Sequence, residues 1–171
     1  MTDFRIGQGM DVHRTAADRK LVLGGGEIES NFGLLGHSDA DVLCHAITDA
    51  LLGSLALGDI GTHFPDTDPA YKGADSTVLL KRAYALVKEK GYTIVNLDST
   101  VVTERPKLKP HIPDIQARLA ELLSLDADRV SVKAKTAEKL GDVGEGRAME
   151  AYCTVLVAKE ALCGADDRLL P

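Results

Sequence analysis

Residues 38–57 carry the clearest secondary-structure signal in the chain, an amphipathic helical pattern that begins with the polar run SDAD. A serine followed by an acid three residues later is a typical helix start, so Ser38 is predicted as the N-cap. The positions expected to face the core recur at helical spacing and are Leu43, Ile47, Ala50, Leu51 and Ser54. Strand-like and helix-like segments alternate around this helix, which predicts a domain that mixes the two.

The other segments complete this prediction. Strand-like composition or alternation occurs at 4–13, 20–23, 93–104, 130–135 and 149–158, and further helical patterns at 76–90 and 110–125. The stretch 59–74 is rich in proline, aspartate and glycine, so we expect a long loop there. The predicted fold is α+β: a four-stranded mixed sheet with helices packed on one face, in the two-layer ferredoxin-like arrangement. No repeat or linker divides it, so residues 1–162 are predicted to form one domain.

The charge and cysteine content exclude several classes of protein. A net charge of -6 argues against broad nucleic-acid binding, so an anionic ligand must be held by local cations. The three cysteines are widely spaced, which predicts neither a disulfide framework nor a cysteine zinc site. No apolar run reaches the ~18 residues of a membrane span. We expect no membrane partner and a reducing compartment, either the bacterial cytoplasm or the plastid stroma if a transit peptide has been removed.

Asp11, His13 and His45 are candidate metal ligands. Asp11 and His13 are two residues apart on a predicted strand, so their side chains point to the same face. Three Asp and His ligands leave a fourth position open, as catalytic zinc requires. Asp41 and Asp49 flank His45 at four residues on either side, where they could orient its ring or balance the charge of a metal. A solvated strand and helix face would carry the same residues, and this alternative stays open.

His37 and Ser38 stand at the predicted start of the 38–57 helix. The backbone N–H groups and the helix dipole favour an anion at such a position. Simple capping by Ser38 is an equally good explanation of the serine taken alone. These two residues are therefore candidates for contact with a phosphate group.

Five longer segments, in their order along the chain, are more specific than any of these motifs. They read RIGQGMDVH (5–13), LLGHSDADVLCHAITDALLG (34–53), ALGDIGTHFPDTDPAYKGADS (56–76), RPKLKPHI (105–112) and VKAKTAEKLG (132–141). Together they resemble the 2-C-methyl-D-erythritol 2,4-cyclodiphosphate synthases of the non-mevalonate isoprenoid pathway. The resemblance implies a homotrimer with active sites between subunits. It also implies a metal-dependent phosphorus–oxygen lyase that converts 4-diphosphocytidyl-2-C-methyl-D-erythritol 2-phosphate to the cyclic diphosphate and CMP.

The resemblance also implies a role for individual residues. Asp11, His13 and His45 match ligands of Zn²⁺, Glu138 matches the ligand of a second divalent cation, Mg²⁺ or Mn²⁺, and His37 and Thr136 match catalytic donors. Residues implied to bind the erythritol and its phosphates are Ser38, Asp59, Ile60, Gly61, Phe64, Pro65, Asp66, Thr67, Asp68, Lys135, Ala137 and Arg147. Residues implied to surround the cytidine of a neighbouring subunit are Thr103, Glu104, Arg105, Pro106, Lys107, Leu108, Lys109 and Ala134.

Some of these residues have structural explanations that the sequence leaves open. Asp66 and Asp68 are good turn formers, Lys107 and Lys109 suit a solvated strand exit, and Thr136 with Glu138 suits a cap and a surface acid.

The sequence departs from the family pattern after Leu140, at Met10, and at Lys135, where many members have a threonine. After Leu140 it reads GDVGEGRAMEA where many bacterial members resemble GFTGRGEGIACEA, so the family's phosphate-facing arginine is absent and Arg147 is the expected replacement. Met10 stands where an aromatic residue is common, which leaves isoprenoid diphosphate binding in a central cavity open. Residues 163–171 extend past the resemblance and are predicted to form a disordered tail.

Two other functions remain as alternatives. The first is a metal-dependent phosphohydrolase, in which the metal would activate water. The second is a non-catalytic trimeric module that binds a nucleotide or an isoprenoid diphosphate.

Overall fold

The computed structural model describes residues 3–159, so the predicted tail at 163–171 and the last residues of the predicted 1–162 domain lie outside it. The strands are β1 Phe4–Ala16, β2 Leu21–Leu23, β3 Gly26–Ile28, β4 Gly33–Leu35, β5 Tyr92–Val102, β6 Val130–Lys135 and β7 Ala148–Lys159. The helices are α1 Val42–Ser54, α2 Ile60–His63, α3 Ser76–Glu89, α4 Ile112–Leu123 and α5 Gly141–Gly144, with 3₁₀ turns at Pro69–Tyr71, Lys109–His111 and Ala127–Arg129.

The main sheet has five strands in the order β4-β1-β7-β5-β6. β5 and β6 are parallel and the other pairs are antiparallel, so the sheet is mixed, as predicted. The predicted count of four strands is wrong because β4, only three residues long, adds an edge strand through pairs such as Arg14 with Leu35. β2 and β3 form a separate two-stranded hairpin.

The helices α1, α3 and α4 pack on one face of the sheet, as predicted. Two glycines of β1 let α1 lie against the strand. A Cβ at Gly7 would fall 1.8 Å from the carbonyl oxygen of Ala50, and one at Gly9 would fall 2.1 Å from that of Ala46. This close approach buries nearly the whole of α1 and brings its side chains next to β1.

The helix predicted at 38–57 and the loop predicted at 59–74 both differ from the structure. The helix predicted from Ser38 begins at Val42, because Asp41 is the N-cap and accepts the amides of Leu43 and Cys44. Ser38 therefore precedes the helix and does not cap it. The predicted loop at 59–74 contains α2 and a 3₁₀ turn, whose first amides are held by the side chains of Asp59 and Asp68.

The opposite face of the sheet carries a row of exposed apolar side chains. They come from alternate positions of β1 and from β7, and the largest are Phe4, Ile6, Met10, Val12 and Tyr152. Within residues 3–159 no helix packs on this face. An apolar sheet surface of this kind is typical of an interaction site. None of the helices in the same range is long and apolar enough to cross a membrane.

Candidate metal centre

Asp11, His13 and His45 converge at the carboxyl end of β1. The Oδ2 atom of Asp11 lies 2.9 Å from both the Nε2 atom of His13 and the Nδ1 atom of His45. The two ring nitrogens are 3.1 Å apart. The three candidate ligand atoms all lie within 4.8 Å of one another. Two imidazoles and one carboxylate facing one point form a donor set that suits an open zinc site.

The tautomer of His13 follows from its other ring nitrogen. The Nδ1 atom lies 2.8 Å from the backbone carbonyl oxygen of Leu35 in β4. A carbonyl can only accept, so Nδ1 carries the hydrogen and the Nε2 lone pair faces the metal centre. The edge strand that the sequence did not predict thus orients one of the predicted ligands.

Proton affinities in the centre reflect the same contacts. Burial opposes the ionisation of Asp11, but hydrogen bonds and charge from His13 and His45 outweigh it and hold the pKa of the carboxyl well below 3.8. Burial would lower the pKa of His13, yet contact with the Asp11 carboxylate raises it above 6.5. In the metal-free protein, the Asp11 carboxylate and the His13 imidazole therefore each favour the charged form of the other.

The metal centre opens into a cavity of about 390 Å³. Its lining residues are Asp11, His13, His37, Ser38, His45, Ile60, Gly61, Phe64, Pro65, Asp66, Tyr71 and Leu79. Ten of these were predicted as site residues. The other two, Tyr71 and Leu79, were not predicted as site residues, although Tyr71 lies in the 56–76 segment that resembles the family. Tyr71 packs edge-on against Phe64, with ring centroids 5.5 Å apart.

Within the 59–68 segment, three of the residues predicted to bind the erythritol part of the substrate do not line this cavity. The carboxylate of Asp59 accepts the amide and the hydroxyl of Thr62, and that of Asp68 accepts the amide of Ala70. Thr67 lies exposed between Asp66 and Asp68. For Asp68, the turn-forming alternative describes what its side chain does in this structure.

Asp41 and Asp49 make no hydrogen bond to the His45 ring, so of their two predicted roles they do not perform that of orienting it. The Asp41 carboxylate accepts three backbone amides, including that of Gly25 at 2.7 Å. Asp49 accepts the amide of Ile60 at 2.7 Å, and burial raises its pKa above 3.8. His45 is also buried, so its helix face is not solvated. Its Nε2 atom instead contacts two serine hydroxyls.

The implied nucleotide and diphosphate residues lie in a second region. Thr103 follows β5 and Lys135 ends β6, and the Thr103 amide donates to the Lys135 carbonyl. Thr136 donates to the carboxylate of Glu138 at 2.5 Å. β1, β5 and β6 run in the same direction, so their carboxyl ends lie at the same end of the sheet. The second region and the metal centre therefore lie at that end. Two strands separate β1 from β6, about 14 Å at the usual strand spacing, and the two regions do not share a cavity.

Arg147, the expected replacement for the family's arginine, is held within its own loop. Its guanidinium forms ion pairs with Asp142 and Glu145. It lines a separate cavity of about 400 Å³ together with Arg14. In this chain Arg147 therefore does not reach the metal cavity.

Comparisons with known proteins agree with these observations. A family model described as the YgbB family matches residues 4–158. The 2-C-methyl-D-erythritol 2,4-cyclodiphosphate synthase of Solibacter usitatus is 60% identical over 159 residues, which cover 93% of this chain and 100% of that protein. The structure of bifunctional IspDF from Campylobacter jejuni matches with a TM-score of 0.90 and 42% identity, over 94% of this chain and 43% of that one.

A solved 2C-methyl-D-erythritol-2,4-cyclodiphosphate synthase in its CDP-bound form matches with a TM-score of 0.84 and 41% identity. The match covers 90% of this chain and 99% of that one. Similarity of this extent goes well beyond a shared fold. The chain belongs to the YgbB family, together with these cyclodiphosphate synthases.

Proposed function

We propose that this protein converts 4-diphosphocytidyl-2-C-methyl-D-erythritol 2-phosphate to 2-C-methyl-D-erythritol 2,4-cyclodiphosphate and CMP, as a metal-dependent phosphorus–oxygen lyase. One observation carries the proposal. Asp11, His13 and His45 converge on one point and open into the cavity that His37, Ser38 and the 60–66 segment line. The family match and the synthase names of the relatives supply the substrate.

In this proposal Asp11, His13 and His45 hold a zinc ion. When bound, zinc supplies a Lewis acid that polarises a phosphate oxygen at the open fourth position. Glu138 would provide one carboxylate for a second cation, Mg²⁺ or Mn²⁺. Proteins usually bind Mg²⁺ at phosphate substrates through one or two carboxylates, so a single carboxylate suits this role.

The reaction needs no nucleophile from the protein. An oxygen of the substrate's 2-phosphate attacks the β-phosphorus, the bond from this phosphorus to the oxygen that bridges to the α-phosphate breaks, and CMP leaves with the electron pair. The cavity contributes by folding the substrate so that its two ends meet, an effect worth several kcal/mol in model reactions. His37 donates a hydrogen bond to a phosphate oxygen, and Thr136 exchanges its Glu138 acceptor for a phosphate oxygen when substrate binds. Lys107, Lys109 and Lys135 offset the negative charge.

We also propose that the active protein is a homotrimer with its sites between subunits. Two observations support an assembly of this kind. The exposed face of the sheet carries large apolar side chains, among them Ile6 at 71% exposure. The implied nucleotide residues 103–109 share no cavity with the metal centre of their own chain. A neighbouring subunit would bring its own 103–109 segment to the metal centre.

We place the protein in the bacterial cytoplasm. The Solibacter usitatus synthase, 60% identical to this chain, comes from a bacterium. Cys44 and Cys153 are free and buried, which suits a reducing compartment.

Phosphorus NMR of the product tests the proposed reaction. Incubation with the CDP-linked substrate is expected to give the paired signals of a cyclic diphosphate together with CMP. A phosphohydrolase would release inorganic phosphate or linear fragments, and a binding module would leave the substrate intact. Either result would overturn the proposal.

A further inference from the structure

Ser76 is a buried residue next to the metal centre that the sequence did not single out. It is the first residue of α3 and is fully buried. Its hydroxyl oxygen lies 2.8 Å from the Nε2 atom of His45, on the opposite side of the ring from Asp11. The same hydroxyl makes a short hydrogen bond to the Oδ1 atom of Asp39. The three side chains form a continuous line from a carboxylate to a candidate metal ligand.

The directions of these hydrogen bonds follow from the chemistry of each group. The Nδ1 atom of His45 faces Asp11 and His13, so a metal-binding ring carries its hydrogen on Nε2. A carboxylate only accepts, so the Ser76 hydroxyl donates to Asp39 and its lone pairs accept from His45. Ser38 is the weaker acceptor, since its oxygen is 3.1 Å from Nε2 and already accepts the amide of Ala40.

Backbone hydrogen bonds hold this line in place. The Ser76 amide donates to the second carboxylate oxygen of Asp39 at 3.2 Å. The Asp39 amide donates to the carbonyl of Ala74 at 3.0 Å, and the Gly73 amide donates to that of His37 at 2.7 Å. The segment before α1 and the segment before α3 are thus joined. Asp39 and Ser76 have little freedom to move away from His45.

We propose that Asp39 and Ser76 are positioning residues that orient the His45 ring as a metal ligand. The inference rests on the metal centre of the proposed function. A hydrogen bond from the remote nitrogen of a ligating histidine fixes the ring and raises the basicity of the ligating nitrogen. A carboxylate at the end of the line polarises the hydroxyl and strengthens this effect. Asp39 and Ser76 thereby take the role that the sequence suggested for Asp41 and Asp49.

Zinc affinity tests the proposal without relying on turnover. We compare the wild type, Ser76→Ala and Asp39→Asn by competition with a chromophoric chelator, after checking by thermal unfolding that each metal-free protein folds. Loss of an outer partner of this kind weakens metal binding by about 10- to 100-fold, and we expect this range for Ser76→Ala. Cobalt(II) in place of zinc gives a second readout, since a rotated ring changes the visible absorption bands. Asp39→Asn serves if Ser76→Ala does not fold.

Asp75→Ala is the matched control. Asp75 caps the same helix through the amide of Thr77 at 2.8 Å but does not belong to the line of hydrogen bonds. We expect it to keep wild-type zinc affinity. Equal affinity in Ser76→Ala and the wild type would overturn the positioning role while leaving the metal centre intact. An equal loss of zinc affinity in Asp75→Ala would also overturn the positioning role, because it would show that any disturbance at the start of α3 weakens zinc binding. A wild type that binds no zinc would overturn both this inference and the proposed metal centre.

Discussion

The Nδ1 atom of His13 donates a hydrogen bond to the backbone carbonyl of Leu35 at 2.8 Å. This bond joins the edge strand β4 to the candidate metal centre and leaves Nε2 as the ring nitrogen that faces Asp11 and His45. The geometry of the centre therefore depends on strand pairing as well as on its three side chains.

Replacement of His45 should remove both metal and turnover. His45→Ala takes away one of three ligands, so zinc affinity should fall by more than the ~10- to 100-fold that loss of an outer partner costs. Zinc content by elemental analysis and product formation measure the two effects. His111→Ala is the control for zinc content, because His111 lies outside the metal cluster. Unchanged zinc content in His45→Ala would contradict the assignment.

The pH dependence of the metal-free protein should reveal the ion pair between Asp11 and His13. The pKa of His13 is raised above 6.5 in the fold, so its stabilising effect is fully present below pH 6.5 and is lost as pH rises through the folded pKa. Zinc requires the unprotonated ring, so zinc affinity should increase over the same range. The difference in unfolding free energy between the metal-free wild type and His13→Gln should shrink with rising pH. A constant difference would contradict this account.

Gly9→Ala should disrupt the contact between β1 and α1. The new methyl group would meet backbone atoms of Ala46 and Ala50, which cannot move independently of the helix. We expect a loss of about 3 kcal/mol or more in unfolding free energy, at the upper end of overpacking effects, with weaker zinc binding. Gly53→Ala in α1 is the control, since its methyl group meets only ordinary contacts at 3.8 Å. That substitution should be neutral or stabilising by about 0.5–1 kcal/mol. Denaturant unfolding measures both, and similar stabilities would argue against close packing at Gly9.

Glu104 should act on turnover by holding the turn that carries Glu138. One of its carboxylate oxygens accepts the amides of Ala137 and Lys139 at 3.0 and 3.1 Å. In this turn the backbone φ angles of Glu138 and Lys139 are positive, at 51° and 64°. Such angles are strained for residues with side chains. Glu104→Ala should lower kcat at least about 10-fold, since metal or substrate groups would shift, and Glu104→Gln should retain most of it because its carbonyl still accepts. Equal losses of kcat in both variants would indicate that the negative charge of Glu104 matters and that its hydrogen bonds to the turn do not.

The apolar sheet face should form the subunit interface. Ile6→Glu places a charge at the centre of this face, where burial of an unpaired charge opposes association. We expect a monomer by light scattering and a loss of turnover, because the proposed sites lie between subunits. Val78→Glu on the outer side of α3 is the control, since Val78 is also exposed, at 44%. A trimer that persists in Ile6→Glu would rule out this face as the interface.

Long periodic segments were predictable from the sequence, and so was the short strand β2, which ends at a run of three glycines, but other short elements were not. β6 was predicted at its observed bounds, and α3 ends one residue before its predicted end. β4 and α5 are too short to show a period, so the sheet was predicted with one strand too few. The start of α1 was placed too early because Ser38 and Asp41 are both good capping residues and local sequence does not choose between them.

The convergence of Asp11, His13 and His45 was predictable because their residue types and spacing favour a common metal-binding position. Their surroundings were not, because the contacts join residues far apart in the chain. Ser76 lies 31 positions from His45, and Leu35 lies 22 from His13. The helical spacing of Asp41 and Asp49 around His45 suggested partners that tertiary packing directs elsewhere. Only the fold specifies which groups surround the ligands.

Phosphorus NMR of the products tests both the proposed reaction and its need for zinc. The CDP-linked substrate is incubated with metal-stripped protein, before and after zinc is added back with Mg²⁺ present. We predict no turnover by the stripped protein and, on addition of zinc, cyclic diphosphate with an equal amount of CMP. Full activity in the stripped protein, or release of inorganic phosphate in place of the cyclic product, would contradict the account.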